Sequence, residues 1–365
     1  MASDGIAFPQ DSPWNQDIRA WPVAPDSDRL IAFIGAGLSL KADFGSGLWE
    51  GAPIGIPFTV VSGKQPSAAI HYTAYGAESD PGPMPIPVDA PIEGGAAGTG
   101  DRHVLAVDWD RRLLFELYKA RPRPDGAWDA DSGAVWDLDS AGLRPWGWTS
   151  ADAAGLPIFP GLVRYQEVAS GSIRHALRFT APRTRRAFVA PATHWASSDS
   201  DASAPPMGLR VRLKASVDLA SFGPRVRVIL EALKRYGMIL ADNGSAWYVS
   251  GAPDDRWDND ELRQLARIKG ADLEAVASGP VHVRVPKGAE PLILSFSALP
   301  AVVAPGEATT LVWSASGAER FFLVPGPGLV KANRILVSPG TTTTYTLTAQ
   351  GPFGSAQRRL TVVVR

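Results

Sequence analysis

The sequence predicts a mainly β protein in two parts. The larger is an antiparallel β-sandwich or barrel with two or three short helices, and a smaller immunoglobulin-type sandwich pattern follows it. Three observations carry this. Glycine (36) and proline (32) are plentiful while charged residues make up only 20% of the chain, the balance of a loop-rich β protein. Strand-like runs follow one another as hairpins instead of alternating with helices, which favours antiparallel sheets. Finally, seven short β runs crowd into the last stretch of chain, the spacing of a sandwich. At 365 residues, 45% of them apolar, the chain exceeds the usual size of one domain and can bury a sizeable core. We place a β-rich domain at 1–285, a linker at 286–290 (Pro-Lys-Gly-Ala-Glu) and a C-terminal module at 291–365.

In chain order, residues 5–25 read as irregular, punctuated by Pro9, Pro13, Pro22 and Pro25. Asp26 or Ser27 can cap a helix over 28–36, where Leu30, Ile31 and Ile34 fall at helical spacing. Residues 52–63 and 67–75 alternate as strands. The clearest hairpin runs from His103 to Lys119 around Asp108-Trp109-Asp110-Arg111. Ala134–Leu138 is a short strand and 139–161 a long loop. A second hairpin is expected over Leu162–Val168 and Ser172–Thr180, with further strands at Arg186–Val189 and Leu209–Ala215. Pro224 opens a helix whose Val226, Ile229, Leu230 and Leu233 share one face. Strands flank Asp242-Asn243-Gly244, read as a hairpin turn. Asp258 or Asn259 caps a last helix to Ile268, with Gly270 as its stop.

Composition removes several functional classes. There are no cysteines, which excludes disulfides, a thiol nucleophile and cysteine-ligated zinc. Lys+Arg (36) balance Asp+Glu (37), so nothing points to nucleic acid or an anionic membrane as partner. No run approaches the roughly 20 apolar residues of a spanning helix. No G-x-S-x-G, Walker loop, dinucleotide glycine pattern or zinc-protease helix is present. The start, Met1-Ala2-Ser3-Asp4, lacks a signal-peptide pattern. We expect a secreted or surface protein whose leader has been removed and a start residue added.

Two resemblances add to this. Ser295-Phe296-Ser297, Thr310-Leu311-Val312-Trp313, Pro325-Gly326-Pro327-Gly328 and the run from Ser338 to Ala349 resemble the bacterial immunoglobulin-like modules attached to secreted enzymes and surface proteins. The resemblance implies export and a spacer or docking role. The strand spacing itself gives Trp313 the place of a sandwich's buried tryptophan, in the core. The stretches ESDPGPMPIP (78–87), GDRHVLAVD (100–108), LRPWGWTSADAAGLPI (143–158) and KRYGMILADNGSAWYVSGAPD (234–254) are similar to an uncharacterised group of secreted bacterial proteins, which implies one intact domain and no particular activity.

The candidate chemistry is acidic. Glu78 and Asp80, spaced i, i+2, would leave one face of a strand about 6–7 Å apart, a geometry suited to paired carboxylates in glycosidic cleavage. The spacing resembles that of strand-borne carboxylates in jelly-roll glycosidases, but position 82 is Gly where a third acid would stand. Asp101-Arg102-His103, after a glycine-rich approach, offers a general base with an orienting partner. Asp152 sits on the long loop beside Trp146 and Trp148. The bland alternatives are a solvated strand end, an Asp closing a turn and an Asp in a first helical turn. His103, His175 and His194 could meet as a metal site, though no local ligand spacing supports it. His71 and His282 read as structural. Arg183, Arg185 and Arg186 read as solvated charges.

The expectation is a secreted glycoside hydrolase acting on a polysaccharide or cell-surface glycan. Its catalytic residues would come from Asp101, His103, Glu78, Asp80 and Asp152. Trp146, Trp148, Trp195, Arg102 and His175 would contact substrate, with neither metal nor cofactor. One alternative is a non-catalytic surface or glycan-binding protein, whose binding would not change on Asp101→Asn. The other is a metalloenzyme on the three histidines.

Overall fold

A computed structural model describes residues 7–365. Met1-Ala2-Ser3-Asp4, and residues 5 and 6 of the irregular start, lie outside the described residues. The protein is mainly β, with few short helices, and its sheets form open sandwiches, not a closed barrel.

Two sheets organise the larger domain. The first orders its strands Lys41–Asp43, Tyr248–Ser250, Leu177–Ala181, Met238–Asn243, Arg210–Leu213 and Leu273–Ala275. The second orders Ser132–Asp137, Leu113–Tyr118, Val104–Asp108 and Thr59–Val61. Antiparallel pairs predominate, but Leu177–Ala181 runs parallel to Met238–Asn243, as Lys41–Asp43 does to Tyr248–Ser250 and Thr59–Val61 to Val104–Asp108. The predicted hairpin from His103 to Lys119 is present, pairing Val104 with Leu117 and Asp108 with Leu113. Its alternate residues divide two cores. Leu105, Val107 and Leu114 join Phe179, Val249 and the helix residues Ile229 and Leu233, whereas Val104, Ala106, Phe115 and Leu117 join Met84, Ile86 and Trp128.

Helices form where the sequence placed them. Over Ser27–Ile34, Leu30, Ile31 and Ile34 are buried. Asp26 stands at the N-cap, but its carboxylate takes Arg29 at 2.9 Å, and the Ser27 hydroxyl accepts the amide of Ala275 at 2.9 Å. Helix Pro224–Arg235 starts on proline and buries Val226, Ile229, Leu230 and Leu233. Asp258 caps Asn259–Leu262 by accepting the amides of Asp260 and Glu261. The turn then tightens to a 3-10 helix at Arg263–Arg267, and Gly270 opens another short 3-10 turn instead of ending the helix.

Two predicted hairpins are corrected. Leu162–Val168 contributes a bridge at Val163 and a short helix Tyr165–Ala169, leaving only Leu177–Ala181 as a strand. Arg164 and Glu167 pair across this turn at 2.6 Å, the i, i+3 contact of a helix. The strands flanking Asp242-Asn243-Gly244 do not pair with each other, because Leu177–Ala181 is inserted between them. Arg186–Val189 forms no strand, only bridges at Phe188.

The C-terminal strands close their own sandwich: Leu292–Leu299, Thr309–Ser316 and Arg334–Val337 face Val302–Val303, Gly354–Val364, Thr343–Gly351, Arg320–Val324 and Gly328–Val330. Trp313 lies in its core. The sandwich does not hang free on 286–290. Phe322 and Leu329 enter the core of Met84, Ile86 and Trp128, and the amide of Trp146 donates to the Pro352 carbonyl at 2.8 Å. Lys331 reaches Asp137 at 2.7 Å and Asp139 at 2.8 Å. No helix among the described residues is long and apolar enough to cross a membrane.

Candidate functional site

The two sheets of the larger domain meet over a polar seam. Along Leu177–Ala181, Leu177 and Phe179 point into the core, so Arg178 and Thr180 leave the opposite face. The Arg178 guanidinium forks onto Asp152, Nε to Oδ2 at 2.7 Å and Nη2 to Oδ1 at 2.8 Å, and donates to the Ser250 hydroxyl at 2.7 Å. Its Nη2 also reaches Asp242 at 3.2 Å. A register shift between Phe179 and Thr180 brings Asp242, near the end of its strand, beside Thr180. One guanidinium therefore serves two carboxyl groups. Burial raises the Asp242 carboxyl to about 7, Asp152 beside it adds to the rise, and Arg178 does not offset them.

Asp242 and Asp152 open onto a cavity of about 440 Å³, lined also by Asp101, Tyr75, Tyr118, Ser132 and His194. Asp101 is its exposed acid, with a half-exposed side chain 3.9 Å from Lys119 Nζ. Tyr118 stacks at an angle on His103, ring centres 5.6 Å apart. Burial pushes the Tyr118 hydroxyl up to about 12, so it stays a hydrogen-bond donor at neutral pH.

His103 lies behind this wall and is buried. Its Nδ1 meets the Glu93 carboxylate at 2.6 Å and its Nε2 the Ala151 carbonyl at 3.0 Å. Both nitrogens face acceptors, which only the doubly protonated ring satisfies. Burial opposes the charge, yet Glu93 outweighs it and lifts His103 to about 9. His103 is therefore a held cation at neutral pH, not the general base expected from Asp101-Arg102-His103.

The other sequence-predicted residues are placed as follows. Asp152 reaches the cavity, but as the fixed partner of Arg178. Asp80 does not: it is fully buried at the junction with the C-terminal sandwich, bound by Arg144 at 2.7 Å, Arg320 at 3.3 Å, the Gln350 amide at 2.8 Å and the Val135 amide at 2.8 Å. Burial opposes its charge, but the two guanidiniums win and hold it near 2. Glu78 ends a 3-10 turn, not a strand, and accepts the Thr149 amide at 3.0 Å, so the shared-face pairing with Asp80 fails. Arg102 does not face substrate. Buried, with φ +52°, it donates to the carbonyls of Gly95, Ala96 and Gly98 and so shapes the glycine-rich loop. His175 is enclosed by Glu167 at 3.1 Å and the Ala176 carbonyl at 2.8 Å.

The indoles lie elsewhere. Trp146 and Trp195 sandwich Phe188, at 5.7 and 5.5 Å, and Trp146 also touches His282. Trp148 lies under Arg144. The aromatic rings of the cavity are Tyr75 and Tyr118 instead. His103, His175 and His194 each bind a different backbone carbonyl, and among the described residues no group of three or more His, Asp or Glu is arranged to hold a metal ion.

Sequence reasoning missed Asp242, Arg178 and Glu93. The available signal was a lone charge in an apolar strand: Arg178 between Leu177 and Phe179, and Asp242 directly after Met238-Ile239-Leu240-Ala241. A charged group there must find a buried partner.

No family model matches this chain, and no curated protein sequence matches it. Among solved structures the chain is similar to the amphioxus IgVJ-C2 molecule, at 17% identity over 21% of this chain and 45% of that one, with a TM-score of 0.18. The match spans less than half of that protein, and a likeness of this size carries no argument.

Proposed function

We propose that the protein is a secreted glycan-cleaving enzyme in which Asp242 acts as the general acid and Asp101 as the second carboxyl group. The observation that supports this most is the crowding of two carboxyl groups, Asp152 and Asp242, on one guanidinium at a cavity that a third, Asp101, also lines. A carboxyl raised to about 7 still carries its proton near neutrality and can deliver it to a leaving-group oxygen. Asp101, exposed across the same cavity, is available to activate water or to attack the sugar carbon as the bond breaks. Arg178 holds Asp152 in place so that its charge keeps Asp242 protonated. Tyr75 and Tyr118 supply ring faces and hydroxyls for a sugar.

The test is reducing-end release from a broad panel of polysaccharides. Wild type should release ends from at least one glycan, and Asp242→Asn and Asp101→Asn should each lose about 10²–10⁴-fold. A folded sample that cuts no glycan would defeat the reading.

A further inference from the structure

A second and larger cleft, of about 900 Å³, lies beyond the glycine-rich loop. Gly100 lines this cleft and Asp101, the next residue, lines the cavity, so one loop divides the two hollows. Gly94 to Gly100 carries no side chain larger than threonine, and Arg102 fixes its carbonyls from behind. A ligand can therefore lie close against its backbone. The floor is continuous with the seam: Asp43 pairs in register with Ser250, which binds Arg178, while Glu93 binds His103. Asp43 is solvent-exposed, so its carboxyl is open to a ligand in the cleft.

The rim is the hairpin Leu48–Trp49 with Ala52–Pro53. Trp49 is 71% exposed and stacks on no other ring among the described residues. Two-residue strands give an indole no core to fill, and leaving it in water forgoes the burial that normally keeps tryptophan inside. A flat, exposed apolar face in the same cleft as an accessible carboxyl matches a sugar ring, with its C–H face on the indole and a hydroxyl on Asp43. Asp43, Glu50 and Glu93 against Lys41 disfavour an anionic chain.

We propose that this cleft is a distal subsite for an uncharged polysaccharide whose chain runs from the Asp101–Asp242 cavity across the Gly94–Gly100 loop onto Trp49. This rests on the glycan reading above and makes the substrate a polymer, cut within the chain.

The test measures binding without turnover. Asp242→Asn, with and without Trp49→Ala, is run in native affinity gels and calorimetry against laminarin, xylan, galactomannan, soluble starch and dextran. Polygalacturonate serves as the anionic contrast, and the matching disaccharides are run alongside. At least one neutral polymer should bind, and Trp49→Ala should weaken it up to about tenfold while disaccharide affinity changes less than twofold. Binding that ignores Trp49→Ala, binding to polygalacturonate alone, or no neutral polymer bound overturns the proposal. If wild type cuts nothing yet neutral polymers bind through Trp49, the catalytic reading falls and the subsite stands.

Discussion

Two buried aspartates of the larger domain, Asp80 and Asp242, behave in opposite ways. Asp80, at the junction with the C-terminal sandwich, is one carboxylate held by two guanidiniums and two amides, and its acidity is strengthened to about 2. Asp242, at the cavity, is one of two carboxyl groups sharing a single guanidinium, and its acidity is weakened to about 7. Burial pushes both the same way, so the ratio of cations to acids decides the sign. Surplus cation makes a structural lock. Surplus acid leaves a proton that can be given away.

The largest effect should come from breaking the lock. Asp80→Ala strands the buried Arg144 without its carboxylate partner and takes from Arg320 the one it binds, which typically costs about 3–5 kcal/mol. Urea unfolding should show this loss, with the C-terminal sandwich separating earlier because its buried ionic anchor is gone. A variant within about 1 kcal/mol of wild type would mean the junction is held by its other contacts, Phe322, Leu329 and Lys331 among them, and not by the Asp80 cluster. The pH sense is fixed by the lowered value: this stabilisation is present above about 4 and lost as pH falls toward 2.

Removing the carboxyl at the other site should do the reverse. Asp242→Asn abolishes the proposed proton donor but keeps the neutral, hydrogen-bonding shape of the protonated carboxyl beside Asp152, so the protein should stay folded. Because the folded value lies above the unfolded one, Asp242 favours folding fully below about pH 4, and that contribution is lost as pH rises through 7. The variant escapes this loss. Its melting temperature relative to wild type should therefore climb between pH 5 and pH 8, by a few degrees. A difference that stays flat with pH would show that Asp242 is ionised throughout. Wild-type activity should decline above about pH 7 for the same reason.

How much of this was legible in the sequence follows from what each feature depends on. The hairpin at Val104–Tyr118, the helix at Pro224–Arg235 and the core role of Trp313 rest on short-range periodicity, which a sequence displays. The partners of Asp80 are Arg144, Arg320 and Gln350, up to 270 positions away, so its isolated reading as an exposed strand acid could not see them. Asp242 was masked differently. Asp-Asn-Gly is a strong turn signal and the chain does reverse there, but the strand that follows pairs with Leu177–Ala181, inserted between the two, instead of with Met238–Asn243. The tryptophans misled by number: Trp146 and Trp195 satisfy each other around Phe188, and the indole that stands free is Trp49, on a two-residue strand.

The smallest effect probes how finely the acid-rich side is balanced. His103 is a cation because Glu93 binds it, and its charge lowers the pKa of Asp242 against the pull of burial and Asp152. Glu93→Gln removes that support, and burial then drives His103 to its neutral form at pH 7. Asp242 loses a nearby positive charge, so its value should rise. The alkaline limb of the activity profile should move to higher pH by less than about one unit, since a neighbour not in contact acts only through screened Coulomb attraction. Stability should change too. The raised His103 value contributes fully below about 6.5 and is lost as pH climbs to 9, so wild type should lose stability over that window and Glu93→Gln should not. A limb that shifts the other way would mean that the carboxylate of Glu93, not the cation it holds, is what Asp242 feels.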